Sequence, residues 1–327
     1  MAGARRIDVE LRIGEKGMSD IKRLGLGCMG MNLSNKDRSI ETIHYALEQG
    51  ITLLNTGEFY GGGESEMVLR EALAGVPRNS YFLSVKFGVL PKPGGGIYGL
   101  DVKPFNVKAH LAYSMHRLGL DYIDLYQPAR MDETVPVEEL VGALEECVKE
   151  GYIGNIGLTQ LSAETLERAA KVHPIHTVEL EYSLVERRIE TNGILEVAVD
   201  NHIDVLVFGV LTHGLLTEQA TGNAASGRPG LFSPDNIRMV SELKMISAEK
   251  GTTVEKLAQA YVYAKYPNMR ILIGTTSRQH LQDSIDALSL ELTADDIQKI
   301  ENVFPVDKVQ GIGMRDFVFR DGRMGLK

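Results

Sequence analysis

Lys86 is the residue least expected in its surroundings. It closes the apolar run Tyr81–Val85, and in an extended strand Phe82, Ser84 and Lys86 share one face. An ammonium among such neighbours must be paired or chemically used. A second run, Ile51–Leu54, leads into Asn55-Thr56-Gly57-Glu58-Phe59-Tyr60-Gly61 and carries a phenol to a strand end as well. A free phenol titrates at about pH 10, and a nearby ammonium favours its ionised form, so Tyr60 beside Lys86 would release a proton readily at neutral pH. Such a pair can protonate a carbonyl oxygen and points to carbonyl reduction. Lys86 also has a plain reading as a surface lysine, and a rival chemical one as a Schiff-base lysine in an aldolase-like site.

Both side chains need strands whose ends meet. Short apolar runs recur at Leu24–Cys28, Ile51–Leu54, Tyr81–Val85, Tyr122–Tyr126, Ile153–Leu158, Thr177–Leu180, Ile203–Phe208 and Arg270–Ile273. Between them lie segments of helical spacing: Ser39–Gln49, Glu66–Ala74, Val107–Leu118, Val137–Glu150, Ala163–Val172, Ile194–Asn201, Ile237–Lys250 with Val254–Tyr263, and His280–Leu288. Eight βα units predict a single (β/α)8 TIM barrel of the α/β class over residues 1–327, with its active site at the C-terminal strand ends. Ser162 predicts a helix N-cap, Thr293 with Asp296 predicts a capping box for a final helix, and Gly50 and Gly151 mark helix ends. Residues 1–22 read as an N-terminal tail and hairpin, with strands at Val9–Ile13 and Ser19–Arg23 closing the barrel floor. Leu90–Phe105, His213–Asn236 and the tail 303–327 are long for connectors and are expected as loops over the active-site face.

Composition narrows the function classes. The chain has 327 residues, 43% hydrophobic and 24% charged, enough to bury a large core. A net charge of −9 and the absence of Trp leave no general footprint for nucleic acid or anionic lipid. The two cysteines, Cys28 and Cys147, have no metal or disulfide spacing, so no metal is expected and a reducing, cytoplasmic setting fits. Charges through Met1–Gly17 break any signal-peptide core, and no run approaches the ~18 apolar residues of a membrane span. His110 and His116 lie six apart on a helix and do not share a face. Two G-x-G-x-x-G strings, from Gly25 and from Gly94, lack the following helix that a Rossmann site requires.

At Leu24–Met31, Asn55–Gly61, Glu64–Leu73, Lys86, Tyr122–Asp132, Ile156–Thr159, Glu181–Leu184 and Gly214–Thr217 the sequence resembles the aldo-keto reductase family, over nearly the whole chain. The Gly-Glu-Phe-Tyr-Gly and Gln-Pro-Ala-Arg patterns are similar to its pyridoxal-reductase-like branch. The resemblance implies a barrel that binds NADP(H) without a Rossmann domain, and a catalytic tetrad of Asp, Tyr, Lys and His. Tyr60 and Lys86 match two of the four, as proton donor and activating cation. Asn55 stands where the Asp is usual and Ala129 where the His is, which leaves Lys86 without its usual carboxylate; Asn55→Asp is therefore expected to preserve or raise activity.

The same resemblance assigns the cofactor residues. Gly27 and Met29 border the nucleotide, Thr159, Gln160 and Glu179 hold the carboxamide, Glu179 in place of a usual Gln, and Phe208 stacks on the nicotinamide. Gly209, Val210, Leu211 and Gly214 follow the pyrophosphate. Gly274, Thr275, Thr276, Arg278, His280, Asp283 and Ser284 surround the adenosine end, with His280 where an Arg usually grips the 2′-phosphate; NADPH is expected over NADH. A small carbonyl substrate is expected among Met29, Met31, Phe59, Phe87, Ala129 and Arg130. The altered tetrad also fits a second function, an NADP(H)-binding sensor with weak reductase activity.

Overall fold

The computed structural model describes residues 20–221, 230–311 and 317–326. In chain order the strands are β1 (Leu24–Gly27), β2 (Leu53–Gly57), β3 (Phe82–Phe87), β4 (Val89–Pro91), β5 (Ile97–Leu100) and β6 (Ile123–Pro128). They continue as β7 (Ile153–Thr159), β8 (Thr177–Glu181), β9 (Asp204–Phe208), β10 (Arg270–Gly274), β11 (Phe317–Arg320) and β12 (Arg323–Leu326). The helices are α1 (Lys36–Glu48), α2 (Glu64–Ala72), α3 (Val107–Leu118), α4 (Val137–Lys149) and α5 (Ala163–Ala170). After them come α6 (Ile194–Asp200), α7 (Pro234–Glu249), α8 (Val254–Lys265), α9 (Arg278–Asp286) and α10 (Ala294–Val303).

Eight strands close into a parallel barrel in the order β1-β10-β9-β8-β7-β6-β3-β2, so the expected (β/α)8 architecture is present. All eight apolar runs became its strands. The reason lies in their double burial, one face toward the helices and one toward the barrel axis, which selects continuous apolar stretches. Ile43, Leu69, Leu140, Leu144 and Val178 are fully buried in the core. Inside the barrel, Leu53, Leu206 and Leu272 form a small apolar cluster against which Phe82 and Phe208 pack. Two residues further along β2 and β3 the inward positions turn polar, at Asn55 and Ser84, which stand in register.

Two expectations are corrected. Asp20–Arg23 forms a 3-10 turn rather than a strand, and Arg23 donates from its guanidinium to the Tyr263 carbonyl at 3.0 Å, docking the chain onto the end of α8. Val9–Ile13 and the turn after it lie outside the described residues. The segment after β3 is no plain loop: β4 and β5 pair antiparallel and join the C-terminal strands in a second sheet, β11-β12-β5-β4. Asp132 pins that sheet to the end of β6 by accepting from the Gly322 amide at 2.6 Å. This places β11 and β12 beside the C-terminal ends of β3 and β6.

Candidate active site

β2 and β3 set the first two groups. Register pairs Gly57 with Lys86, and a Cβ at Gly57 would stand 3.0 Å from Phe59 and 3.4 Å from the Lys86 Cβ, so glycine keeps this approach open. After Tyr60 the backbone takes positive φ at Gly61, Gly62 and Gly63 (60°, 67° and 100°), a turn that side chains resist and that leads straight into α2. The Tyr60 ring meets Phe59 edge-on at 4.7 Å, and Lys86 Nζ lies 5.4 Å from the centre of the Tyr60 ring.

Lys86 is 5% exposed and paired. Its Nζ donates to Glu179 Oε1 at 2.8 Å and to Asn55 Oδ1. Glu179 Oε2 in turn accepts from Asn55 Nδ2 at 2.9 Å and from Gln127 Nε2 at 2.6 Å. Ser84 Oγ accepts from the same two amides at 3.1 and 3.2 Å. Strands β2, β3, β6 and β8 thus contribute to one buried network, with Glu179 2% exposed. Burial pulls the Lys86 ammonium toward losing its proton, but Glu179 and Tyr60 outweigh it and hold the group above the ordinary lysine range. Burial pushes the Tyr60 phenol up; Lys86 offsets this only in part and Glu179 adds to it. The expectation of a readily ionised phenol is therefore reversed, because desolvation exceeds the pull of the ammonium.

Glu58, beside Tyr60, is committed elsewhere. Its Oε1 accepts from the Gly88 amide at 2.6 Å and meets His110 Nδ1 at 2.8 Å. Burial pulls the His110 imidazole down, but Glu58 and Asp101 outweigh it and raise its pKa. His110 thereby joins α3 to the barrel mouth, a role its spacing did not reveal.

Along the expected nucleotide track, Thr159 stands in register with Glu179. The Thr159 Oγ1 and Gln160 Nε2 atoms are buried with no hydrogen-bond partner, a donor set that matches a carboxamide. Gln160, Thr212 and His213 hold positive φ (50°, 48° and 53°), strain of the kind that collects at functional sites. Phe208 is partly buried and Gly209 has φ 75°. Gly27 and Gly274 stand in register at the ends of β1 and β10, and Thr276 comes within 3.7 Å of the Cβ position of Gly30. Ser277 caps α9 by accepting from the His280 amide, Arg278 stacks on the Tyr45 ring at 4.6 Å, and His280 is exposed. Asp283 pairs with Lys256 at 3.3 Å, and Ser284 donates back to the His280 carbonyl at 3.0 Å.

The expected substrate set divides. Met29 is 61% exposed, Phe59 is partly buried, and Ala129 and Arg130 close the end of β6. Met31 and Phe87 are fully buried and form no pocket wall: since Lys86 faces the barrel axis, Phe87 must face outward, where it stacks on Tyr126 at 4.5 Å. Gln127 and the pairing of Glu179 with Lys86 went unassigned in the sequence; both residues lie on the inward face of their strands. Among the described residues no group of three or more His, Cys, Asp or Glu could hold a metal ion, and no helix is long and apolar enough to cross a membrane.

The family model "Aldo/keto reductase family" matches residues 23–304. A "Probable aldo-keto reductase 1" from Glycine max is 29% identical over 315 residues, covering 92% of this chain and 90% of that one. Among solved structures, a glycerol dehydrogenase from Gluconobacter oxydans superposes with a TM-score of 0.78 at 24% identity, over 89% of this chain and 94% of the other. An aldo-keto reductase from Klebsiella pneumoniae, solved in complex with NADPH, gives a TM-score of 0.70 at 22% identity over 86% and 91%.

Proposed function

The chain belongs to the aldo/keto reductase family, an NAD(P)H-dependent oxidoreductase, and on that premise we propose that it reduces an aldehyde or ketone to an alcohol with Tyr60 as the proton donor. One observation carries this reading: a half-buried tyrosine and a buried, ion-paired lysine adjoin at the C-terminal ends of β2 and β3. The raised phenol pKa keeps the Tyr60 proton in place at neutral pH, so the phenol donates as negative charge develops on the carbonyl oxygen. The Lys86 ammonium, charged throughout the physiological range, stabilises the phenolate that remains.

Bound NADPH would supply the hydride to the carbonyl carbon. Thr159 and Gln160 would hold its carboxamide, Phe208 its ring and Gly209–Gly214 its pyrophosphate. Arg278 and His280, at the N-terminus of α9, would meet the 2′-phosphate, favouring NADPH over NADH. The NADPH complex of the Klebsiella relative supports this choice. Phe59, Met29, Arg130 and the small Ala129 would border a pyridoxal-like or other cyclic carbonyl. Of the two departures behind the sensor reading, the carboxylate missing at Asn55 is supplied to Lys86 by Glu179, while Ala129 stands without the imidazole. A panel of aldehydes and ketones, pyridoxal included, assayed by NADPH and NADH absorbance, tests the proposal. Turnover of at least one carbonyl is expected; none across the panel would overturn it.

A further inference from the structure

We infer that Glu179 is the positioning residue that keeps Lys86 charged and aimed at Tyr60, a task it performs across the barrel from β8 while Asn55 serves as a neutral clamp. The inference rests on the reading of Tyr60 as proton donor.

An ammonium has three donors. Two of them are fixed, one by Glu179 Oε1 and one by Asn55 Oδ1, which leaves the third free for the Tyr60 side, where Nζ lies 5.4 Å from the ring centre. Asn55 touches both ends of the ion pair at once, accepting from Lys86 and donating from Nδ2 to Glu179 Oε2. An amide can do both, whereas an ionised carboxylate can only accept. Gln127 donates to the same Oε2 and fixes the carboxylate from the other side. Cys28 is a further titratable neighbour, and burial pushes its thiol up to about 12 and so keeps it neutral. Among the described residues the carboxylate bonded to Lys86 is thus the one on β8, while Glu181, two residues further along that strand, faces His213 at 3.9 Å.

The expected effect of Asn55→Asp now changes sign. An aspartate there would face Glu179 across the 2.9 Å that Nδ2 bridges today, and two carboxylates so close cannot both ionise. Activity should fall. Glu179→Gln should fall too, through loss of the carboxylate paired with Lys86, whereas Asn55→Asp with Glu179→Gln moves the charge from β8 to β2 and restores the balance.

The test compares wild type, both single variants and the double variant. Three readouts are taken: kcat and KM for a carbonyl, NADPH affinity by fluorescence, and Lys86 titration by NMR of lysine labelled at Cε, assigned with Lys86→Met. For Glu179→Gln we expect kcat to drop roughly 10- to 100-fold, with KM and NADPH affinity within about three-fold. Its Lys86 midpoint should fall by about two pH units or more. The double variant should recover both kcat and the midpoint. Unchanged kcat and Lys86 titration in Glu179→Gln would overturn the inference, as would a double variant no better than Glu179→Gln. If Glu179→Gln fails to fold, the comparison of the double variant with Asn55→Asp decides: a higher kcat in the double variant supports the inference and a lower one overturns it. Tyr60→Phe separates this from the underlying reading, because full activity there sinks the proton donor while the Lys86 titration still judges Glu179. A weakened NADPH affinity in Glu179→Gln with kcat unchanged would return Glu179 to the carboxamide.

Discussion

Tyr60 keeps its proton because burial costs its phenolate more than the neighbouring ammonium returns, and a donor that stays protonated is what reduction requires. Tyr60→Phe should lower turnover by roughly 10² to 10⁴ while NADPH affinity changes little, since the hydroxyl gives a proton and is not needed to hold the nucleotide. Steady-state rates and fluorescence titration check this, and Lys86→Met should behave alike. A rate near wild type in Tyr60→Phe would make another group the donor. At this scale the pair Tyr60 and Lys86 was legible, because an ammonium at the end of an apolar strand is a visible anomaly. The partner of Lys86 was harder to read. Glu179 lies 93 residues away, and the resemblance assigned it to the carboxamide. A clue was nonetheless present, since Asn stands where an acid is usual and Glu where an amide is usual. Only barrel closure shows that the two positions touch.

Among the elements, the barrel strands announced themselves by burial on both faces, whereas β4, β5, β11 and β12 did not. They are three or four residues long, β12 is exposed throughout, and the two short hairpins β4–β5 and β11–β12 join into one sheet across more than 200 residues, so no local period marks that sheet. The link between α3 and the barrel mouth carries a pH prediction. The folded pKa of His110 is raised above the ordinary value of 6.5, so the stability it contributes is fully present below about pH 6.5 and is lost as pH rises through the folded value. Thermal melts of His110→Gln should therefore fall below wild type by about 1–2 °C near pH 6, with the gap closing toward pH 9. A gap that widens with pH would contradict the Glu58 pairing. The start of α9 carries another. NADPH should bind about ten-fold tighter than NADH, about 1.4 kcal/mol, and His280→Arg should widen the margin, because a guanidinium fork suits phosphate better than imidazole. Fluorescence titration showing an NADH preference in the unmodified protein would refute this placement of the 2′-phosphate.

For the molecule as a whole, closure of eight parallel strands lets residues from β2, β3, β6 and β8 share one buried network at the barrel mouth. The net charge of −9 gives no general attraction for an anionic nucleotide, so binding must rest on local groups such as Arg278 and the α9 N-terminus. The same network weighs against the aldolase-like rival: a Schiff base needs a neutral amine, and Glu179 holds Lys86 as an ammonium. These two chemistries part most directly in a labelling experiment. The protein is incubated with NADPH deuterated at C4 of the nicotinamide and a carbonyl from the panel, and the product is examined by mass spectrometry and NMR. Carbonyl reduction predicts an alcohol with one deuterium on the former carbonyl carbon and a hydroxyl proton that exchanges with solvent. An alcohol without that deuterium, or a borohydride-trapped adduct on Lys86 in place of the alcohol, would contradict the account.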